Sequence, residues 1–250
     1  MDLRDELNPA NVLLSKRKQG EFNSFISREE LDEALAERHG KDLQKKFQNA
    51  KVAICGLGGL GSNVAVALAR AGVRHLHLID FDQVDVSNFN RQQYFVSQLG
   101  KNKTDSLSDT LLQIYPYLEI KTDTVKITRE NIHDLLKDEL IICEAFDKAE
   151  QKAMLVEEVL RQFPDKYLVS ASGMAGKKSV NEIKTRKITN HFYLCGDGVS
   201  DLAEGDGLFA PRVMAAASHE AMAIISIIDE IYWKSGLKSY ENALNKKPRC

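Results

Sequence analysis

Four glycines lie in a short loop that follows an apolar segment early in the sequence. The segment Lys51–Cys55 runs directly into Gly-Leu-Gly-Gly-Leu-Gly. Glycine lets the backbone approach a phosphate closely, and the amides at the start of a following helix face such an anion. The loop therefore predicts contact with the phosphates of a nucleotide by Gly56, Gly58, Gly59 and Gly61.

Two carboxylates follow the next apolar segment. Asp80 ends the segment that starts at His75, and Asp82 comes two residues later. A carboxylate at the end of the second strand of a nucleotide-binding unit can accept hydrogen bonds from ribose hydroxyls. These features predict nucleotide binding but do not identify the nucleotide. An NAD(P)-binding oxidoreductase fits them as well as any other nucleotide-binding protein.

Cationic and amide side chains after the second strand indicate phosphate chemistry. Asn88, Arg91 and Gln92 follow Asp80 closely, and Lys103 opens the next helical segment. Hydride transfer needs no arginine there. Transfer of a phosphoryl or nucleotidyl group does, because a guanidinium binds phosphate oxygens as a fork and stabilises the charge that develops on them.

A further carboxylate, Asp147, ends the apolar segment 140–146. Ligands bind at the carboxyl ends of the strands in open parallel sheets. Mg²⁺ prefers hard oxygen ligands and keeps several of its waters. Asp147 is therefore the predicted ligand of a magnesium ion.

The elements that must position these side chains alternate along the middle of the chain. Strand 51–55, a helix over 62–71 and strand 75–80 form a βαβ unit, which implies a parallel sheet. The alternation predicts a Rossmann-like, doubly wound, mainly parallel α/β fold. Further strands are predicted at 118–125, 139–146 and 166–171, and further helices at 97–115, 129–137, 148–162 and 211–233.

The two ends of the chain depart from this alternation. A capping box at Ser27–Glu30 starts a predicted helix that ends at Gly40. Segments 179–185 and 191–194 alternate like antiparallel strands. We predict a helical arm over residues 1–48, a nucleotide-binding half over 49–176, and, in the same domain, antiparallel strands, an acidic loop and a C-terminal helix over 177–250.

Neither the acidic loop nor the cysteines predict a metal site. The loop carries Asp197, Asp201 and Asp206, which we expect to be solvated. None of the cysteines belongs to a C-x-x-C pair, so we expect no zinc and no disulfide, but free thiols. The cysteines are Cys55, Cys143, Cys195 and Cys250.

Composition argues against several other classes of protein. The formal net charge is −2 and the pI is near 6.3, so no basic balance points to nucleic acid. The first residues lack the apolar core of a signal peptide, and the apolar stretch around 215–228 is too short to span a bilayer. We expect a cytoplasmic protein.

As a set, these motifs resemble the ThiF/MoeB/HesA family of the ubiquitin-activating-like superfamily. The resemblance covers roughly residues 28–235 and rests on five motifs: the glycine loop, Asp-Phe-Asp, Ser-Asn-Phe-Asn-Arg-Gln, Gly-x-x-Lys and a strand-ending Asp. It implies adenylation by ATP of the C-terminal glycine carboxylate of a ubiquitin-like protein, with release of pyrophosphate. It also implies a homodimer.

The resemblance implies a role for each matching residue. Gly59 would lie against the phosphates and Asp80 would hold the ribose. Asp147 would coordinate Mg²⁺. The triphosphate would be contacted by Asn88, Arg91 and Lys103, with support from Gln92.

Two further roles follow from the family with less direct matches. An arginine from the partner subunit's N-terminal arm would reach the phosphates, and Arg38 is the candidate, with Arg28 next. Some members use a reactive cysteine after adenylation, and Cys195 is the one candidate placed on a loop. This chain also departs from members that carry paired zinc cysteines.

Short length, absent zinc cysteines and the helical arm favour a ThiF-like enzyme that adenylates a ThiS-like sulfur carrier for the thiazole ring of thiamine. A MoeB-like enzyme of molybdopterin synthesis and a tRNA-modifying dehydratase stay open, although the chain has no basic stripe. So do two readings of other classes. An NAD(P)-binding oxidoreductase would lack a visible proton donor, and a pseudoenzyme would not need Arg91, Lys103 and Asp147.

Overall fold

The fold is built on one seven-stranded sheet flanked by helices. The computed structural model describes residues 26–200 and 207–244, with side chains to residue 231. The strands are β1 Lys51–Cys55, β2 His75–Ile79, β3 Glu119–Asp123, β4 Ile141–Glu144, β5 Tyr167–Ala171, β6 Lys184–Lys187 and β7 Phe192–Gly196. The helices are α1 Arg28–His39, α2 Lys41–Asn49, α3 Gly59–Ala71, α4 Lys103–Ile114, α5 Ile132–Leu136, α6 Ala149–Gln162 and α7 Ala210–Leu244.

The strand order places a topological switch at the centre of the sheet. The order is β3-β2-β1-β4-β5-β7-β6, and every pair is parallel except β6 with β7. Strands β2 and β3 lie on one side of β1, and β4 lies on its other side. Ligands of open α/β sheets bind in the crevice outside the carboxyl ends at such a point. The predicted Rossmann-like fold is confirmed.

Alternating side chains of the strands supply two separate cores. Ile54 of β1 joins the larger core, under α3, α4 and α7, whereas the adjacent Cys55 joins the smaller core, under α5 and α6. Successive residues of a strand point to opposite faces, so one buried strand serves both layers. Both faces of β1 are therefore covered, as the continuous apolar run of its sequence indicates.

The N-terminal arm is anchored by a polar contact on the sheet's amino end. The capping box of Ser27 and Glu30 is present, as predicted. Asp32 of α1 forms an ion pair with Arg74 at 2.7 Å and accepts a hydrogen bond from the Tyr115 hydroxyl. Arg74 and Tyr115 precede β2 and β3 respectively, so α1 lies at the edge of the sheet opposite the carboxyl ends.

The helix predicted over 97–115 begins six residues later, at Lys103. Residues Val96–Gln98 form a short 3₁₀ turn, and Gly100 then takes a left-handed φ of 78°. The amide of Gly100 donates to the Val84 carbonyl, which pairs this segment with the loop after β2. The segment is thus a connection stitched to its neighbour rather than a helical turn.

The strands after β5 also differ from the prediction. Residues Val180–Glu182 form a 3₁₀ turn, so the strand predicted over 179–185 is Lys184–Lys187 instead. Strand β7 pairs with β5 in parallel and with β6 in antiparallel fashion. The antiparallel extension is therefore a single edge strand. The remaining predicted elements are present with ends that differ by a few residues, and α7 runs on to Leu244.

Within the described ranges, no helix is long and apolar enough to cross a membrane.

We expect Asp32→Ala to destabilise the fold by about 3 kcal/mol, because it leaves the buried Arg74 guanidinium without its carboxylate. Urea unfolding followed by circular dichroism measures the change. Glu33→Ala, at an exposed position on the same helix, is the control and should stay within about 0.5 kcal/mol of the parent. Equal effects of the two substitutions would contradict an anchoring role for Asp32.

Candidate functional site

The glycine loop joins β1 to α3 at the carboxyl edge of the sheet. Gly56 has a φ of 93°, and a Cβ there would lie 2.9 Å from both the Ala145 carbonyl oxygen and the Phe146 ring. A Cβ on Gly61 would lie 1.8 Å from the Gly56 carbonyl oxygen. These two glycines are required by the turn itself. At Gly58 the nearest neighbour of an added Cβ is a side-chain atom 3.8 Å away, so the loop is open there.

Asp80 braces the glycine loop from β2. One carboxylate oxygen accepts from the Leu57 amide at 2.6 Å, and the other accepts from the Asp82 amide at 2.8 Å. Burial raises the pKa of Asp80, against the opposing attraction of Lys103 and these amides. Each oxygen keeps a further lone pair, which a ribose hydroxyl could use. The ribose role of Asp80 stays a prediction.

Asp82 holds Lys103 in place. The Lys103 ammonium lies 2.9 Å from the Asp82 carboxylate, and its backbone amide donates to the Asp82 carbonyl at 3.0 Å. Lys103 is buried, with 6% of its surface exposed, whereas the Asp82 side chain is half exposed. The structure therefore gives Asp82 a clear task, the orientation of Lys103.

Asn88, Arg91 and Gln92 lie on one tight turn after β2. The side-chain oxygen of Asn88 caps this turn by accepting from the Asp85 amide at 2.9 Å. The backbone carbonyl of Asn88 accepts from the amides of Arg91 and Gln92. The Arg91 stem would touch a Cβ on Gly59, with Cγ at 3.3 Å. One guanidinium nitrogen of Arg91 donates to the Ser87 carbonyl at 3.0 Å.

Asp147 is exposed on the turn between β4 and α6. The turn is fixed to the glycine loop by the Ala145 amide, which donates to the Cys55 carbonyl at 2.9 Å. The carboxylate thus lies beyond the same sheet edge as Asp80 and Arg91. The structure brings together the predicted residues of β1, β2 and β4, together with Lys103 at the start of α4.

Arg38 lies apart from this group. It is exposed on α1, which packs at the amino end of the sheet through Asp32 and Arg74. Arg28 begins the same helix and lies 3.9 Å from Asp32. Within its own chain neither arginine is at the carboxyl edge, so a role at the phosphates requires a second subunit.

The placement of Cys195 on a loop is wrong. Cys195 lies within β7, and its surface is fully buried beneath α7. Burial raises the pKa of its thiol to about 12, and the Thr185 hydroxyl lies 3.5 Å from the sulfur. A sulfur nucleophile must be reachable and ionised. In this structure Cys195 is a core residue.

The prediction of a solvated acidic loop is wrong for Asp197. Its side chain is buried and pairs with Arg212, in the first turn of α7. Burial alone would raise the pKa of Asp197, but hydrogen bonds from Ser200, Val199 and Arg212 hold it well below its usual range. Asp201 and Asp206 lie outside the described residues.

The polar contacts behind the turn of Arg91 were not predicted from the sequence. The Asn63 side chain on α3 donates to the Arg91 carbonyl at 3.0 Å and accepts from Gln93 at 2.6 Å. The Tyr94 hydroxyl donates to the Leu57 carbonyl at 2.8 Å. A buried asparagine on the first turn after the glycine loop was the available signal. The contacts fix the turn that carries Arg91 against the loop.

The sheet topology and the glycine loop at its carboxyl edge define an α/β protein of the Rossmann type. A model of the ThiF family matches residues 31–246. The chain belongs to the ThiF family.

Three curated relatives match parts of this chain. The probable adenylyltransferase/sulfurtransferase MoeZ of Mycobacterium tuberculosis (strain CDC 1551 / Oshkosh) is 34% identical over 63% of this chain and 38% of its own. The tRNA threonylcarbamoyladenosine dehydratase of Bacillus subtilis (strain 168) is 36% identical over 55% and 54%. UBA4 of Eremothecium gossypii, an adenylyltransferase and sulfurtransferase, is 32% identical over 82% and 47%. The chain spans about half or less of their lengths.

Solved structures share the fold. The tRNA N6-threonylcarbamoyladenosine dehydratase TcdA of E. coli, in complex with ATP, aligns with a TM-score of 0.74 at 20% identity, over 81% of this chain and 95% of that one. E. coli MccB with ATP aligns with a TM-score of 0.61 at 24% identity, over 78% and 64%. At these identities the likeness shows the architecture.

We expect a thiol reagent to modify Cys195 in the native protein far more slowly than in the unfolded chain, because the sulfur is buried and protonated. Mass spectrometry of peptides after timed alkylation measures the rate. Cys143, also fully buried, is the internal reference and should react as slowly. Native labelling of Cys195 at the rate of a free thiol would contradict its placement in the core.

Proposed function

We propose that this chain is an ATP-dependent adenylyltransferase that activates the C-terminal carboxylate of a ubiquitin-fold carrier protein. The observation that carries the proposal is the gathering of Asp80, Arg91, Lys103 and Asp147 around the glycine loop at one sheet edge. The family and the names of the curated relatives support it.

The residues at the edge suit a nucleotide. The open side of Gly58 leaves room for a phosphate beside the amides that start α3. The buried Oε1 atom of Gln92 has no hydrogen-bond partner in the described part of the chain, and its amide nitrogen lies nearest to that space. A buried polar atom without a partner costs free energy, and Oε1 is an acceptor, so a hydrogen-bond donor of the ligand would be stabilising there.

The proposed chemistry needs positioning and charge rather than a nucleophilic side chain. A carboxylate oxygen of the carrier forms a bond to the α-phosphorus of ATP. The bond from that phosphorus to the bridging oxygen breaks, and pyrophosphate leaves with the electron pair. Arg91 and Lys103 would offset the repulsion between the two anions. A magnesium ion held by Asp147 would add further positive charge beside the phosphate oxygens.

The partner subunit completes this proposal. Arg38 lies at the amino end of the sheet, whereas the site lies at the carboxyl end. It can therefore contact only the phosphates bound by a second subunit. We therefore propose a homodimer in which the arm of one subunit reaches the site of the other. Arg28 is the second candidate for the same task.

The carrier we propose is ThiS-like, in the synthesis of the thiamine thiazole ring, in the cytoplasm. The same site suits a MoeB-like enzyme that activates the carrier of molybdopterin synthase. A dehydratase acting on tRNA is the second candidate, because the tRNA threonylcarbamoyladenosine dehydratase of Bacillus subtilis is 36% identical over 55% of this chain. All three functions share the adenylation step and differ in the carboxylate that is activated.

We expect Arg91→Ala and Asp147→Ala each to slow carrier-dependent ATP–pyrophosphate exchange about 100-fold or more. Each removes one preorganised charge contact, and the loss of such a contact costs about 2.7–4 kcal/mol in comparable sites. Arg70→Ala and Lys148→Ala are the matched controls, since both residues are exposed. Exchange near the parent rate in both site variants would overturn the assignment.

The acceptor can be identified by incubating the protein with ATP, Mg²⁺ and one candidate at a time. We expect a ThiS-like protein to gain the mass of an adenylate in intact-protein mass spectrometry, and a carrier lacking its terminal glycine to gain none. Modification of a molybdopterin-synthase carrier alone, or ATP consumption that depends on modified tRNA, would select the other two functions. Fluorescent binding of NAD(P)H without any adenylate would contradict all three.

A further inference from the structure

Glu144 is a fully buried charge at the carboxyl end of β4. None of its surface is exposed. One oxygen accepts from the Phe146 amide at 2.7 Å, and the other accepts from the Ser170 hydroxyl on β5. A carboxylate in such a place is costly unless a cation and hydrogen bonds compensate it. Its environment therefore has to supply a positive charge.

Lys152 supplies that charge from the first turns of α6. Its ammonium lies 2.8 Å from one Glu144 oxygen and 3.0 Å from the other. It also donates to the Phe146 carbonyl at 3.0 Å. The side chain is 19% exposed, so water screens the pair only slightly. Lys152 thus grips both a strand end and the backbone of the turn beyond it.

A second acid, on α7, interacts with Lys152 without replacing Glu144 as its ion-pair partner. Glu220 is fully buried, and burial raises its pKa well above the ordinary value, opposed by Lys152 and assisted by Glu144. The raised pKa favours the protonated form of Glu220. The ammonium of Lys152 belongs to Glu144.

The contacts of Glu144 and Lys152 join the two ends of the turn that carries Asp147. The segment leaves β4 at Glu144, passes Phe146 and Asp147, and is returned to Glu144 by Lys152. Both backbone polar groups of Phe146 are engaged, one by each member of the pair. The Phe146 ring lies against Gly56, at 2.9 Å from the position of a Cβ there. The orientation of Asp147 relative to the glycine loop is thus set from behind by a buried ion pair.

We propose that Glu144 and Lys152 are positioning residues that hold Asp147 and Phe146 in register with the glycine loop, so that Asp147 meets the magnesium ion and triphosphate of the bound nucleotide. This inference rests on the proposed function. Neither residue touches the reacting atoms. Partners behind a metal ligand fix its orientation, and their loss costs about 10-fold to 100-fold in metal affinity or activity.

The ion pair is better explained by positioning than by stability. Replacing a buried ion pair with apolar groups is often neutral or stabilising, so such a pair is weak evidence for a purely structural role. Here the pair also satisfies the two backbone groups of Phe146, one residue before Asp147. Apolar substitutes could fill the space without fixing the turn.

The test compares Lys152→Met, which removes the ammonium, with Lys152→Arg, which keeps the charge. Three quantities are measured: the Mg²⁺ concentration for half-maximal ATP–pyrophosphate exchange, kcat against KM for ATP, and Mg²⁺-dependent binding of a non-hydrolysable ATP analogue by calorimetry. Lys148→Met is the control, because Lys148 is an exposed lysine on the same turn. Thermal unfolding of each variant without ligand separates folding from positioning.

We expect Lys152→Met to raise the half-saturating Mg²⁺ concentration about tenfold or more and to weaken analogue binding only when Mg²⁺ is present. Lys152→Arg should restore most of the loss. The effects of Lys152→Met and Asp147→Ala on Mg²⁺ dependence should not add, because the two residues act through one carboxylate. Should Lys152→Met fail to fold, Ser170→Ala, which removes one hydrogen bond to Glu144, decides by the same measurements.

The outcomes separate this inference from the proposed function. If the parent protein neither exchanges pyrophosphate nor binds the analogue, the proposed function fails. If the parent is active, Asp147→Ala loses Mg²⁺ dependence and Lys152→Met keeps the parent's half-saturation, the positioning role fails while the function stands. Additive effects of the two substitutions would likewise overturn the positioning role.

Discussion

The turn between β1 and α3 can close only because the backbone of Gly61 passes against the carbonyl of Gly56, where a single added carbon would collide at 1.8 Å. This contact brings the start of α3 down onto the sheet edge. Its free amides then face the space that the neighbouring strands enclose. Asp80 accepts from the Leu57 amide inside the same turn, and the Phe146 ring packs on its outer side. The other site residues are positioned relative to this turn.

Each neighbouring side chain is held by contacts with a further residue of the fold. Asp82 orients Lys103, Asn63 supports the turn of Arg91, and the Glu144–Lys152 pair fixes the turn of Asp147. Helix α7 closes the site from above, since Val213 lies against Gly59 and would meet a Cβ there at 2.9 Å. The geometry of the site therefore depends on the sheet and on the helices that cover it.

The sequence predicted the parts that local patterns encode. Alternating strand and helix segments predicted the parallel sheet around the glycine loop, and Gly40 marked the end of α1. Contacts between distant segments were beyond such patterns. The loop before Lys103 was predicted to be helical. No local pattern reveals its pairing, because Gly100 bonds to Val84, sixteen residues away. Cys195 looked exposed because glycine and aspartate follow it, whereas α7 covers it. Pairings such as Asp197 with Arg212 depend on the tertiary fold and have no local signature.

Burial in the core favours the protonated form of Glu220. The unfolded chain would ionise this acid near pH 4.5, whereas the folded chain keeps it neutral far above that value. Because the folded-state pKa is the higher one, the stability associated with this residue is complete below the ordinary glutamate pKa and is lost as pH rises towards the folded-state value. Rising pH thus acts on the helix that closes the site, through a buried residue of that helix.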